Sequence, residues 1–171
     1  MNDVPSDTVD PESHSRHYSW APSPEDPAER VHAGLDALER IIRGERHLSP
    51  GAHTLGLTLT AASEGTVTMT ATPGQWALNA GGTVHGGIVS GWVDSALGYA
   101  TASVVEPGVG YNTLDLTVRY IRALQLDRTP ATISAEVQHV GRSTSVVQVE
   151  VTDTDGRRCA SASGVMMLFR P

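Results

Sequence analysis

The period of the hydrophobic positions changes along the chain, and each change marks an element. Val31, Leu35, Leu38, Ile41 and Ile42 recur at helical spacing after Asp26-Pro27, where proline suits a first helical position, and Gly44 follows as a stop. The spacing predicts one amphipathic helix over roughly 28–43, then a turn at Ser49-Pro50-Gly51. From His53 the period becomes two. Thr54–Ala61 and Thr66–Thr72 alternate on either side of Glu64-Gly65, the pattern of a hairpin. Pro73-Gly74 ends it, and residues 75–84 read as a loop.

Residues 86–104 return to helical period. Ile88, Val89, Trp92, Val93, Ala96, Leu97, Ala100 and Val104 cover most of the circumference, as in a helix buried on nearly every side. One stripe differs: Gly87, Ser90, Gly91, Asp94, Gly98 and Thr101 are small or polar, so a neighbouring backbone or a ligand comes close along it. After Pro107-Gly108, strand-like runs over about 113–122, 130–140, 143–152 and 158–169 are separated by Asp127-Arg128-Thr129-Pro130, Gly141 and Asp155-Gly156. This order predicts an α+β fold, a curved antiparallel sheet wrapped around a long central helix with an extra N-terminal helix. Three segments follow: a flexible tail over 1–27, which holds five prolines; a helix and turn over 28–48; and one folded domain over 49–171.

Composition narrows the partners. Net charge is −7, and no run approaches the ~20 apolar residues of a membrane span. The acidity is uneven: residues 1–50 hold 10 Asp/Glu and 5 Arg, and 51–171 hold 9 and 7. Neither half has the basic excess of a nucleic-acid surface. The lone Cys159 excludes an internal disulfide, and the first residues carry no basic region followed by an apolar stretch, so cytoplasmic residence is the expectation.

Candidate chemistry gathers in Asn79-Ala-Gly-Gly-Thr-Val-His85-Gly86-Gly87 and the helix after it. A glycine loop that opens a helix offers unpaired N–H donors and a positive dipole end to developing negative charge. Asp94, in an otherwise apolar helix, is costly to bury unless paired or functional; it either pairs with an arginine such as Arg119 or Arg122, caps a backbone, or is catalytic. His85 either bonds a loop carbonyl or serves the site, and Asn79 is either a turn residue or a ligand contact. No second histidine stands three or four residues from His85, and the glycines lack dinucleotide or Walker spacing, so no metal and no cofactor are expected. Ser90 lacks the G-x-S-x-G frame of a serine nucleophile. Gly86 and Asp94 are eight residues apart, about 12 Å along a helix. One chain's pair therefore cannot serve a single carbonyl, whereas two antiparallel copies of the helix could. A site built across a dimer interface is the expectation.

The run Asn79-x5-His85-Gly86-Gly87-x6-Asp94, followed by Thr113-Leu-Asp-Leu-Thr-Val-Arg-Tyr120, resembles the hotdog-fold acyl-CoA thioesterases of the PaaI type over about residues 51–170. The resemblance implies a hotdog domain over 49–171 and hydrolysis of a fatty or aromatic acyl-CoA by a homodimer or a tetramer that is a dimer of dimers. It implies that Asp94 is nucleophile or general base, that Gly86 N–H polarises the carbonyl, that Asn79 and His85 orient it or each other, and that Thr113 helps place the water. Gly87, Ser90 and Arg142 would contact substrate, Arg142 through the CoA phosphates. Ala123 stands where such proteins commonly have proline. Two other readings are a hotdog hydratase or dehydratase, whose signatures are missing here, and a non-catalytic acyl-CoA-binding module.

Overall fold

The computed structural model describes residues 16–19 and 34–170. The first helix, α1, spans Leu35–Ile42 and buries Ala37, Leu38 and Ile41, the inward stripe of its amphipathic pattern. Residues 28–33 of the expected helix, and nearly all of the expected tail, lie outside the described residues. The turn expected at Ser49-Pro50-Gly51 is instead the start of a second helix, α2, Pro50–Thr54. Its sequence carries the reason: the Ser49 side chain accepts from Ala52 N–H as N-cap, and Pro50 sits where a missing N–H costs nothing. The first strand accordingly begins three residues later than the alternation suggested.

Strands β1 (Leu57–Ser63) and β2 (Thr66–Ala71) form the hairpin across Glu64-Gly65. The central helix α3, Gly86–Ala102, comes next, then β3 (Gly110–Tyr120), β4 (Ala131–Val140), β5 (Thr144–Thr152) and β6 (Arg158–Phe169). All six strands join one antiparallel sheet in the order β1-β2-β4-β5-β6-β3. The chain leaves β2, runs through α3 and re-enters the sheet at its far edge, so the sheet curls round the helix.

The interior lies between them. Trp92, Val93, Ala96, Leu97 and Ala100 of α3 share one core with Met69, Ile133, Val147, Val149 and Val151 from three strands, all essentially without solvent contact. Full burial of each such aliphatic side chain contributes roughly 1.5–3 kcal/mol, which makes the helix–sheet contact the main stabilising feature. Trp92 completes its polar edge by donating Nε1–H to Leu55 O at 2.9 Å. Among the described residues no helix is long and apolar enough to cross a membrane.

The small-residue stripe of α3 is filled from within the same chain. A Cβ on Gly91 would stand 2.8 Å from Leu55 Cδ1, and one on Gly98 would stand 3.5 Å from the Tyr111 ring. Thr101 is buried and donates to Ser145 Oγ. Ser90 and Asp94 meet side chains of β3.

Candidate active site

Strand β3 brings those side chains to the helix by means of one irregularity. Its pairing with β6 shifts between Thr113 and Asp115, leaving Leu114 as a bulged residue. Side chains alternate along a strand, so Thr113 and Tyr120, seven residues apart, would point to opposite faces of a regular one. The bulge reverses the alternation, and both then turn toward α3. Tyr111 and Thr113 lie inward before the bulge, and Leu116, Val118 and Tyr120 after it.

The Thr113 hydroxyl donates to Asp94 Oδ1 at 2.7 Å. Asp94 is exposed, contrary to the expectation that an apolar helix would bury it. The reason is topological: β3 is an edge strand, so the helix face beside it is open to one side. Neither Arg119 nor Arg122 pairs with it among the described residues; its only side-chain partner there is Thr113, and the second carboxylate oxygen is left available.

At the start of α3 the donors are nearly all spent. His85 is the N-cap, its Nδ1 accepting from Gly87 N–H at 2.9 Å, which places the ring proton on Nε2. Its carbonyl accepts from both Ile88 N–H (2.9 Å) and Val89 N–H (3.2 Å). Among the described residues Gly86 N–H has no acceptor, so it is the open donor of this turn. The doubly bonded His85 carbonyl belongs to the same peptide group and polarises that N–H further. The Asn79 side chain shapes the loop. Its Oδ1 accepts from Gly81 and Thr83 N–H, and its Nδ2 donates one hydrogen to Thr83 Oγ1, which leaves a second Nδ2 hydrogen for another acceptor. Among the described residues no side-chain hydrogen bond joins Asn79 to His85.

Gly86 lies on a cleft of about 310 Å³ whose walls include Thr83, Val89, Tyr120, Arg122, Leu124 and Cys159. Neither Asp94 nor Thr113 lines it. Burial pushes the Cys159 thiol up, with Asp153 adding to the effect and Arg122 opposing it, so the group stays protonated and non-nucleophilic.

The sequence of residues 81–160 matches the profile of the thioesterase superfamily. A candidate esterase of Saccharolobus solfataricus is 31% identical over 90 residues, 53% of this chain and 62% of its own. Among solved structures, a hypothetical thioesterase of Streptococcus pneumoniae crystallised with coenzyme A is 29% identical, with a TM-score of 0.61 over 66% of this chain and 85% of that one. The Escherichia coli PaaI protein, at 22% identity, shares the fold with a TM-score of 0.68 over 78% of this chain and 94% of its own. The chain has the hotdog fold of these structures, and its central segment is similar to the thioesterase superfamily. It spans about three fifths of the length of the curated relative it matches.

On this fold the candidate residues divide into separate groups. Asn79, His85, Gly86 and Gly87 gather at the head of α3, and Asp94 with Thr113 forms a second group two turns along. Arg142 belongs to neither. It sits in the β4–β5 turn, where its carbonyl accepts from Arg170 Nε. That turn flanks the Gly110 end of β3, through Leu168 N–H on Ser143 O and the Gly110–Phe169 pair. Ten strand residues, roughly 33 Å, separate that end from Tyr120. Two residues at the cleft were not singled out from sequence. Tyr120 gave no signal beyond its place in the β3 pattern, because only the bulge turns it inward. Arg122 stands out in the sequence only as a partner for Asp94.

Proposed function

We propose that this chain hydrolyses an acyl-CoA thioester to the free acid and CoA in a site shared by two copies. The single observation that carries the reading is the division of the site: the open Gly86 N–H stands on a cleft, and the carboxylate stands outside it. A carbonyl whose oxygen sits on Gly86 N–H must also have its attacking group within ~3 Å of its carbon. The second copy supplies that group.

The edge of β3 supports such a pairing. It is an eleven-residue edge strand, with Leu114 57% and Tyr120 56% exposed, and Ile121 beyond it 55% exposed. An open edge of this kind is a template for another strand. Antiparallel pairing of two β3 strands about an axis between Leu116 and Thr117 sets Thr113 of one copy opposite Tyr120 of the other, since the two lie equally far from that axis. Asp94 of one copy then approaches Gly86 of the other. The same axis brings the Arg142 turn of the second copy toward Arg122 and Ala123, at the end of the cleft.

In this site Asp94 takes a proton from water, which attacks the thioester carbon; alternatively it attacks directly and water opens the resulting anhydride. The Thr113 oxygen, having given its hydrogen to Asp94, accepts from the water. The oxyanion rests on Gly86 N–H at the helix terminus. Collapse breaks the C–S bond: on the general-base route the CoA sulfur leaves with the proton that Asp94 took from water, and on the direct route it leaves as the thiolate and the water that opens the anhydride supplies the protons. Arg142 of the second copy, with Arg122, neutralises CoA phosphate charge. Asn79 acts by shaping the loop, and His85 by capping the helix.

Thiol release over a panel of acyl-CoAs tests the reading: free CoA is expected, in proportion to enzyme. A hydratase would change the unsaturation of an enoyl-CoA without releasing thiol, and a binding module would hold acyl-CoA without turnover. Arg142→Ala is expected to raise KM for acyl-CoA at least several-fold while leaving KM for the matching N-acetylcysteamine thioester, which has no phosphate, unchanged. Equal effects on both substrates would remove Arg142 from phosphate recognition.

A further inference from the structure

The first turn of α3 begins Gly86-Gly87, two residues that each cost a helix about 1 kcal/mol relative to alanine. A turn so composed frays unless it is held, and a frayed turn cannot keep a donor aimed. His85 Nδ1 holds Gly87 N–H. The other restraint comes from across the sheet edge. The Tyr120 hydroxyl donates to Gly86 O at 2.8 Å, and it lies 2.6 Å from Ser90 Oγ, one turn further along the helix. A hydroxyl has one hydrogen. With the Tyr120 hydrogen on Gly86 O, Ser90 donates to Tyr120, and a chain runs Ser90 to Tyr120 to Gly86. The ring also lies on the glycine: a Cβ at Gly86 would stand 3.2 Å from its Cζ and 3.3 Å from its hydroxyl oxygen. More than half exposed, Tyr120 could leave its hydroxyl to water, yet the hydroxyl turns back to two protein partners.

We propose that Tyr120 is a positioning residue, which with Ser90 braces Gly86 so that its N–H stays fixed as the oxyanion donor. This rests on the thioesterase reading for its effect on rate, though the brace itself does not. Ser90 on this account is no substrate donor, because its hydrogen is spent on Tyr120. The bulge at Leu114 is what makes the brace possible, since without it the tyrosine would face away from the helix.

Tyr120→Phe keeps the ring over Gly86 and removes only the hydroxyl. The measurements are thiol-release kinetics, thermal midpoint and residue-resolved amide exchange over Gly86–Ile88. Expected are a roughly tenfold loss in kcat, KM within about twofold of wild type, an unshifted midpoint and faster exchange in that turn; removing an oxyanion donor outright costs 10²–10³, and loosening one costs less. Ser90→Ala, which leaves the Tyr120–Gly86 bond in place, should show the same changes in smaller measure. Wild-type exchange rates in Tyr120→Phe would overturn the brace, and so would faster exchange with unaltered kcat. If the wild-type protein releases no thiol, the thioesterase reading fails and the exchange rates alone decide the brace.

Discussion

Asp94→Asn should abolish thiol release, with kcat/KM at least about 10³-fold below wild type, while the protein stays folded. A loss of that size is about 4 kcal/mol of transition-state stabilisation, at 1.36 kcal/mol per tenfold. Asparagine keeps the size and one acceptor oxygen of aspartate, so it can still receive the Thr113 hydrogen, but it can neither take a proton from water nor attack a thioester. The fold has little to lose. Asp94 is exposed and has one side-chain partner among the described residues, a bond worth about 1 kcal/mol. Thermal unfolding and circular dichroism should therefore match wild type. Near-normal turnover in this variant would refute the role given to Asp94, and a collapsed fold would show the carboxylate to be structural.

The second large effect concerns the β3 edge. Charged residues, lysine above all, are how natural proteins keep an edge strand from pairing. Leu114→Lys with Thr117→Lys places four positive charges across the proposed axis of a pair. Leu114 projects to solvent from the bulge, and Thr117 pairs with Ser163 on the sheet face away from α3, so neither belongs to the core. Sedimentation should show a shift toward monomer, and turnover at low protein concentration should fall about 100-fold. Specific activity should then rise with protein concentration, by mass action, and with salt, which screens the added charges. A monomer with wild-type turnover would contradict the shared site.

The hydrophobic periods made the architecture legible: the hairpin, the central helix and four later strands all follow from alternation against helical spacing. What escaped was local or topological. Ser49-Pro50 read as a turn because a five-residue helix leaves no period to see. Asp94 read as buried because its helix is apolar nearly all round, and only strand order reveals the open side. The stripe suggested an approaching ligand or backbone, whereas Leu55, Tyr111, Thr113 and Tyr120 of the same chain occupy it. The bulge at Leu114 has no mark in the sequence, and with it went any view of Tyr120. The distance between Gly86 and Asp94, by contrast, needed only helical rise.

That distance underlies the central claim, that each site takes Gly86 from one copy and Asp94 from another. Subunit complementation tests it most directly. Gly86→Val, which drives a branched side chain into the Tyr120 ring, and Asp94→Asn are each expected to be inactive alone. Co-expressed in equal amounts, they should form mixed dimers with one intact and one doubly damaged site. Random pairing makes half the dimers mixed, so about a quarter of wild-type activity should return, as an isologous two-fold interface requires. No recovered activity in demonstrated mixed dimers would mean that both groups act within one chain, and the shared site would be wrong.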